Sequence, residues 1–151
     1  MPTTTASLTV RRILPCPPEA AFRAWTEPAR LEKWFAPKPS MKVVAQMDLR
    51  KGGKYRIGFV LPGGKKTMFV GGTFLAIKPP GYLEYTWTWE KESNPEWRGR
   101  SVVKVEFNGL ERGRTEIVLT HERFRDPQEC KEHTKGWTKI LGRMARALAR
   151  R

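Results

Sequence analysis

The stretch DPQECKEHTKGWTKILGRMARAL, residues 126–148, decides the fold of this chain. Its first residues carry helix-start signals. Asp126 suits an N-cap, Pro127 the first helical position, and Glu129 the far end of a capping box. Stepping about 100° per residue, Cys130, His133, Trp137, Ile140, Leu141, Met144 and Leu148 fall on one face. Lys131, Lys135, Lys139, Arg143, Arg146 and Arg150 fall on another. A helix with so wide an apolar stripe, and a tryptophan in its middle, must lie on a large partner surface.

The preceding residues supply that surface as strands. Residues 8–14 read as a first strand, closed by Pro15, Pro17 and Pro18. Residues 18–26 place Ala20, Ala21, Ala24 and Trp25 at helical spacing, and Pro28 ends that run and opens a second short helix to about Phe35. From Met41 the period changes to two. Residues 41–49 set Val43, Ala45, Met47 and Leu49 on one face, and residues 53–60 do the same with Tyr55, Ile57 and Phe59. Residues 66–77 form a longer strand in which Gly71 and Gly72 predict a bulge or bend. Residues 82–90 alternate most cleanly, with Leu83, Tyr85, Trp87 and Trp89 against Glu84, Thr86, Thr88 and Glu90. Residues 100–108 and 114–123 form a last hairpin, with Val103, Val105 and Phe107 facing Ile117, Leu119 and His121. Short Gly- and Pro-rich turns between strands imply antiparallel pairing. The class is therefore α+β, one domain spanning 1–151 with a core at about 8–148. A curved antiparallel sheet is covered by the long C-terminal helix, with two short helices after strand 1.

Charge and cysteine narrow the function classes. Twenty-nine Lys and Arg against fifteen Asp and Glu leave a net charge of +14. The basic residues are spread along the chain rather than gathered into a footprint, which argues for a solvated surface over nucleic-acid binding. Cys16 and Cys130 make no disulfide framework and no CxxC motif, as expected in a reducing cytoplasm. No secretory pattern opens the sequence and no apolar run reaches the ~20 residues that span a bilayer. The expectation is a soluble, cytoplasmic protein. Open sheet edges permit a homodimer.

Five stretches give the chain a family resemblance: LEKWFAP at 31–37, GGKYRI at 52–57, GGTFLAIKPPGYLEYTW at 71–87, THERF at 120–124 and HTKGWTKIL at 133–141. In this order and spacing they resemble the START-like (SRPBCC) superfamily, closest to its single-domain homologues of the heat-shock chaperone ATPase activator. The resemblance implies a helix-grip fold, in which about seven antiparallel strands wrap the C-terminal helix around a cavity for apolar ligands. Relatives of that type include lipid carriers, polyketide cyclases and chaperone activators, some linked to stress response.

The aromatic set Tyr55, Phe59, Phe74, Tyr85, Trp87, Trp89 and Trp137 reads as a cavity wall rather than a dry core, because Trp and Tyr carry polar tips that need partners. Trp34 and Phe35 would sit near its mouth. His121 and His133 point inward and would orient a ligand. Catalysis by either would need an acidic partner or a serine beside it, and the inward positions offer neither. A zinc site at Cys130, His133 and His121 has no recognised spacing behind it. The expected function is binding of a small hydrophobic or amphipathic ligand between sheet and helix, with no cofactor, metal or catalytic residue. The alternatives are a cyclase or hydrolase acting in the same cavity, or a chaperone-regulating module that meets an acidic partner through its basic face.

Overall fold

The computed structural model describes residues 6–149. Strand β1, Ala6–Leu14, leads to two short helices, α1 (Pro18–Thr26) and α2 (Pro28–Leu31). Seven strand segments follow: β2 (Lys42–Met47), β3 (Lys54–Val60), β4 (Thr67–Lys78), β5 (Tyr82–Thr86), β6 (Thr88–Trp89), β7 (Val102–Leu110) and β8 (Arg114–Phe124). The chain then enters the long helix α3, Pro127–Ala149. All pairings are antiparallel, in the order β1-β8-β7-β5-β4-β3-β2, with β6 pairing β4 off that path. The curved sheet, the two short helices after strand 1 and the long final helix are as the sequence predicts. Arg150, assigned to the basic face of the last helix, lies outside the described residues.

The last hairpin brings together the residues expected to face each other: Val103 opposes His121, Val105 opposes Leu119, and Phe107 opposes Ile117. The Asp126 carboxylate caps α3, accepting from the Glu129 backbone N–H at 2.7 Å. The apolar face of α3 is inside: Cys130, Trp137, Ile140, Leu141 and Met144 are buried. Between this helix and the sheet lies an aromatic core. Trp25 of α1 stacks on Trp137 with centroids 6.2 Å apart, and Phe35 meets Trp137 edge-on at 5.5 Å.

Two local expectations change. Residues 82–90 are not one strand. They part at Trp87, whose backbone N–H turns to the Ser101 carbonyl at 2.9 Å. The bulge expected at Gly71-Gly72 lies instead between Phe74 and Ala76. The glycines serve a close approach. A Cβ on Gly72 would run into the Thr86 carbonyl oxygen, just where β4 exchanges β6 for β5 as its neighbour. Gly72→Ala is expected to cost about 2 kcal/mol or more through that overlap. The urea midpoint reads it, and an unchanged midpoint would show that the Thr86 backbone yields freely.

α3 lies closest to β1 and also packs on β8. On its other side its N-terminal half faces β3, β4 and β6 across a gap, and that gap is the candidate site.

Candidate functional site

Two tryptophan–histidine pairs span the space between helix and sheet. The Trp137 indole Nε1–H on α3 donates to His121 Nδ1 on β8 at 3.0 Å. An indole N–H can only donate, so Nδ1 carries no proton and the ring proton sits on Nε2. Nε2 lies 3.1 Å from Ser101 Oγ, and the Ser101 hydroxyl in turn donates to the Trp87 carbonyl at 2.5 Å. A single donor direction thus runs from helix to strand. The second pair is reversed in sequence: Trp89 Nε1–H on β6 donates to His133 Nε2 on α3 at 3.0 Å. The proton of His133 is then on Nδ1, which bonds the Glu129 carbonyl one helical turn back at 2.8 Å.

Both rings are therefore held neutral. Burial pushes the His121 pKa well below its usual value, and the nearby His133 adds to the shift. Burial also lowers His133, although the Glu129 carbonyl and the carboxylates of Glu129 and Glu132 pull it part of the way back. A second proton on either ring would place a donor against an indole donor.

This geometry corrects one sequence expectation: a serine does stand beside His121. Ser101 shares the phase of Val103, Val105 and Phe107 in the predicted strand, but the β7–β8 register that brings it beside His121 is not written in that phase. The pair nevertheless has the wrong polarity for nucleophilic catalysis. A general base must accept the serine proton, whereas His121 aims its own N–H at Ser101. Among the described residues no three His, Cys, Asp or Glu side chains gather as a metal site, so the Cys130–His133–His121 grouping does not form. Cys16 and Cys130 are both buried and are not joined in a disulfide.

Beside these pairs lies a cavity of about 280 Å³. Phe59, Leu61 and Met68 come from β3, β4 and the turn between them, and Trp87 and Trp89 from the broken strand. His133, Gly136, Trp137 and Ile140 come from α3, and Pro37 and Met41 from the loop after α2, with Lys91 and Glu132 at the edge. Five of the predicted site residues are thus brought together: Phe59, Trp87, Trp89, His133 and Trp137. The other six stand elsewhere. Phe35 is fully buried among Trp25, Phe59, Trp87 and Trp137. Trp34, expected at the mouth, is buried and lines a separate cleft of about 290 Å³ with Arg23, Arg30 and Lys33. Tyr55, Phe74 and Tyr85 pack on one another further along the sheet, and Tyr55 donates to the Thr86 carbonyl at 2.6 Å. His121 lies behind Trp137.

Sequence reasoning missed Met41, Leu61, Met68 and Gly136. Leu61 is in a turn and Gly136 lacks a side chain, while Met41 and Met68 lie at the ends of predicted strands, where the period gives a facing but not which residues reach the cavity. It also misread Arg143, placed on the solvated face. Its guanidinium turns inward and donates to the carbonyls of Ala36 and Lys38 at 3.0 and 3.3 Å. Those carbonyls precede Pro37 and Pro39, in a loop short of backbone donors, and Arg143 pins that loop where Pro37 and Met41 reach the cavity.

Two buried side-chain polar atoms have no hydrogen-bond partner among the described residues: the Tyr85 hydroxyl and the Trp87 indole Nε1–H. Burial raises the Tyr85 pKa, and the Trp25 indole nearby draws it slightly down without closing a hydrogen bond. Trp87 differs in position, since its ring forms part of the cavity wall.

Residues 15–149 match the model of the family described as activator of Hsp90 ATPase homolog 1-like protein. The chain belongs to this family. No curated protein sequence matches it significantly. Among solved structures, the AHSA1 protein of Silicibacter pomeroyi is 29% identical with a TM-score of 0.78, over 95% of this chain and 98% of that one. An HSP90 activator from Plasmodium falciparum is 24% identical with a TM-score of 0.71, over 95% and 96%. CalU16 of Micromonospora echinospora is 25% identical with a TM-score of 0.65, over 91% and 73%. The fold is thus of the START type, as the sequence motifs imply. Among the described residues no helix is long and apolar enough to cross a membrane.

Proposed function

We propose that this protein binds a compact, largely apolar molecule in the cavity between α3 and strands β3, β4 and β6. The observation that carries the reading is the wall itself. Phe59, Leu61, Met68, Trp87, Trp89, Trp137 and Ile140 line a half-open space of about 280 Å³ with few polar groups, the composition of a small-molecule site. At ~30 Å³ per water this is room for roughly nine waters, or for one compact ring system. Met41 and Met68 can adapt to the outline of the guest.

Gly136 provides the test. It lines the cavity from the middle of α3, and a Cβ there would meet nothing within 4 Å. A side chain at this position fills the binding space and also improves the helix, by about 1 kcal/mol for a residue such as leucine or alanine over glycine. Gly136→Leu is therefore expected to abolish uptake of 2-ethylnaphthalene, followed by tryptophan fluorescence, while the melting temperature holds or rises. Undiminished uptake in this variant would place the guest elsewhere.

A second reading, regulation of a chaperone ATPase, draws on the family description and on the exposed row Lys131, Lys135 and Lys139 along α3. It requires an acidic partner captured at low salt and released at high salt. Charge reversal at Lys135 and Lys139 would weaken that capture and leave 2-ethylnaphthalene uptake unchanged.

A further inference from the structure

A second space of about 260 Å³ lies beside the first. Trp87, Trp89, Lys91 and His133 line both, so the Trp89–His133 hydrogen bond stands at the boundary between them. Small-molecule sites usually measure ~300–1,000 Å³. The first space alone falls just short of that range, and the two together fall inside it. The second space has a different character. Phe124 and Ser101 line it, and Arg125 pairs there with Glu92 and Glu129. Lys91 and Ser93 stand at its exposed rim.

The two tryptophan–histidine pairs are not held equally. Trp137 and His121 are buried, on the long elements α3 and β8. Trp89 and His133 are only partly buried. Trp89 ends β6, a two-residue strand that pairs with β4 through Val70 and Gly71. Residues 90–101 beyond it run without helix or strand. His133 rides on α3 and is held through Nδ1 by the Glu129 carbonyl, so Trp89 is the half that can swing. Opening one such bond where water can reach it costs about tenfold in an equilibrium or less.

We propose that the Trp89–His133 hydrogen bond is a latch between two halves of one site, and that the site takes an elongated, uncharged amphiphile. Its apolar ring system lies in the first space and its hydroxyl-bearing end passes the latch into the second. The proposal rests on the cavity being the binding site. The aromatic wall of the first space selects the apolar body. In the second, Lys91 and Arg125 are balanced by Glu92 and Glu129. Neither sign of charge is favoured there, and a charged end would only lose water.

Three probes test this in the unaltered protein: 2-ethylnaphthalene, 5-(2-naphthyl)pentan-1-ol and 5-(2-naphthyl)pentanoate. Each methylene buried beyond the ethyl group is worth about fourfold in affinity. Set against the cost of the latch, the alcohol is expected to bind about tenfold tighter than 2-ethylnaphthalene, and the pentanoate more weakly than the alcohol. Nuclear Overhauser contacts should run from the naphthyl protons to Ile140, in the first space, and from the terminal methylene to Phe124, in the second. The nitrogen–nitrogen coupling across the Trp89–His133 hydrogen bond should vanish with the alcohol and persist with 2-ethylnaphthalene. A terminal methylene without contact to Phe124, a coupling that survives the alcohol, or a pentanoate that binds tighter than the alcohol overturns the inference and leaves the cavity reading standing. So does an alcohol that fails to bind where 2-ethylnaphthalene binds. Failure of all three probes takes down the cavity reading, and this inference with it.

Discussion

Trp137→Ala is expected to destabilise the protein by about 5 kcal/mol, the largest effect of any single replacement in the site. Removing a buried tryptophan ring costs about 3–5 kcal/mol in lost burial and cavity formation. Here the ring is 2% exposed and packs on Trp25, Phe35 and Trp87. Its indole also satisfies His121 Nδ1, and a buried acceptor left unpaired adds about 1–3 kcal/mol. Domains of this size are stable by only ~5–15 kcal/mol, so the variant should be close to unfolding at room temperature. Trp137→Phe separates the two contributions. It keeps most of the apolar contact and loses the donor, with an expected cost of about 2 kcal/mol. Urea denaturation of both variants measures this, and a Trp137→Ala loss below about 2 kcal/mol would mean that helix and sheet are not joined through this ring.

Mild acid is expected to have an effect of similar size. Both histidines have folded-state pKa values below the ordinary 6.5. The unfolded chain therefore takes up protons that the native state refuses. The stability contributed by the two neutral rings is complete above about pH 6.5 and is lost as pH falls below it, until the folded pKa values are reached. Each ring contributes a slope of up to about 1.4 kcal/mol per pH unit. The pair should remove at most about 3 kcal/mol between pH 6.5 and 5, the larger share from His121, which is fully buried. Trp137→Phe frees Nδ1 of His121 to accept a proton, so its acid slope should be shallower than that of the parent. Urea midpoints recorded across this range give the slope, and stability unchanged from pH 7 to pH 5 would refute the neutral assignment. Imidazole nitrogen shifts in the native protein should report an unprotonated Nδ1 in His121 and an unprotonated Nε2 in His133.

These expectations divide by what a one-dimensional pattern can carry. Long periodic runs were legible. The stripe Cys130, Trp137, Ile140, Leu141 and Met144 is buried as its spacing requires, and the alternation of the last hairpin put His121 on the inner face with Val103, Val105 and Phe107, where the structure has it. Periodicity reports which way a side chain faces, because core and solvent differ strongly in free energy over many residues at once. It does not report distance along the inner face. Tyr55, Phe74 and Tyr85 share that face with Phe59 and Trp87, yet they pack on one another away from the cavity. The loop held by Arg143 has no period to read, and Met41 and Ser101, in phase with the predicted strands, lie just before β2 and β7, where phase does not say what they meet.

By itself, then, the sequence determined the class of fold, the helix that closes it, the facing of the strands and the family to which the chain belongs. Only the tertiary structure decided which indole meets which imidazole and which nitrogen of each ring carries the proton. The physical reason is range. Helix and strand periods come from local backbone geometry, whereas hydrogen bonds are made or lost within a few tenths of an ångström. Residues 16 or 44 positions apart, such as Trp137 with His121 or Trp89 with His133, reach that distance only when the whole sheet has curved around α3.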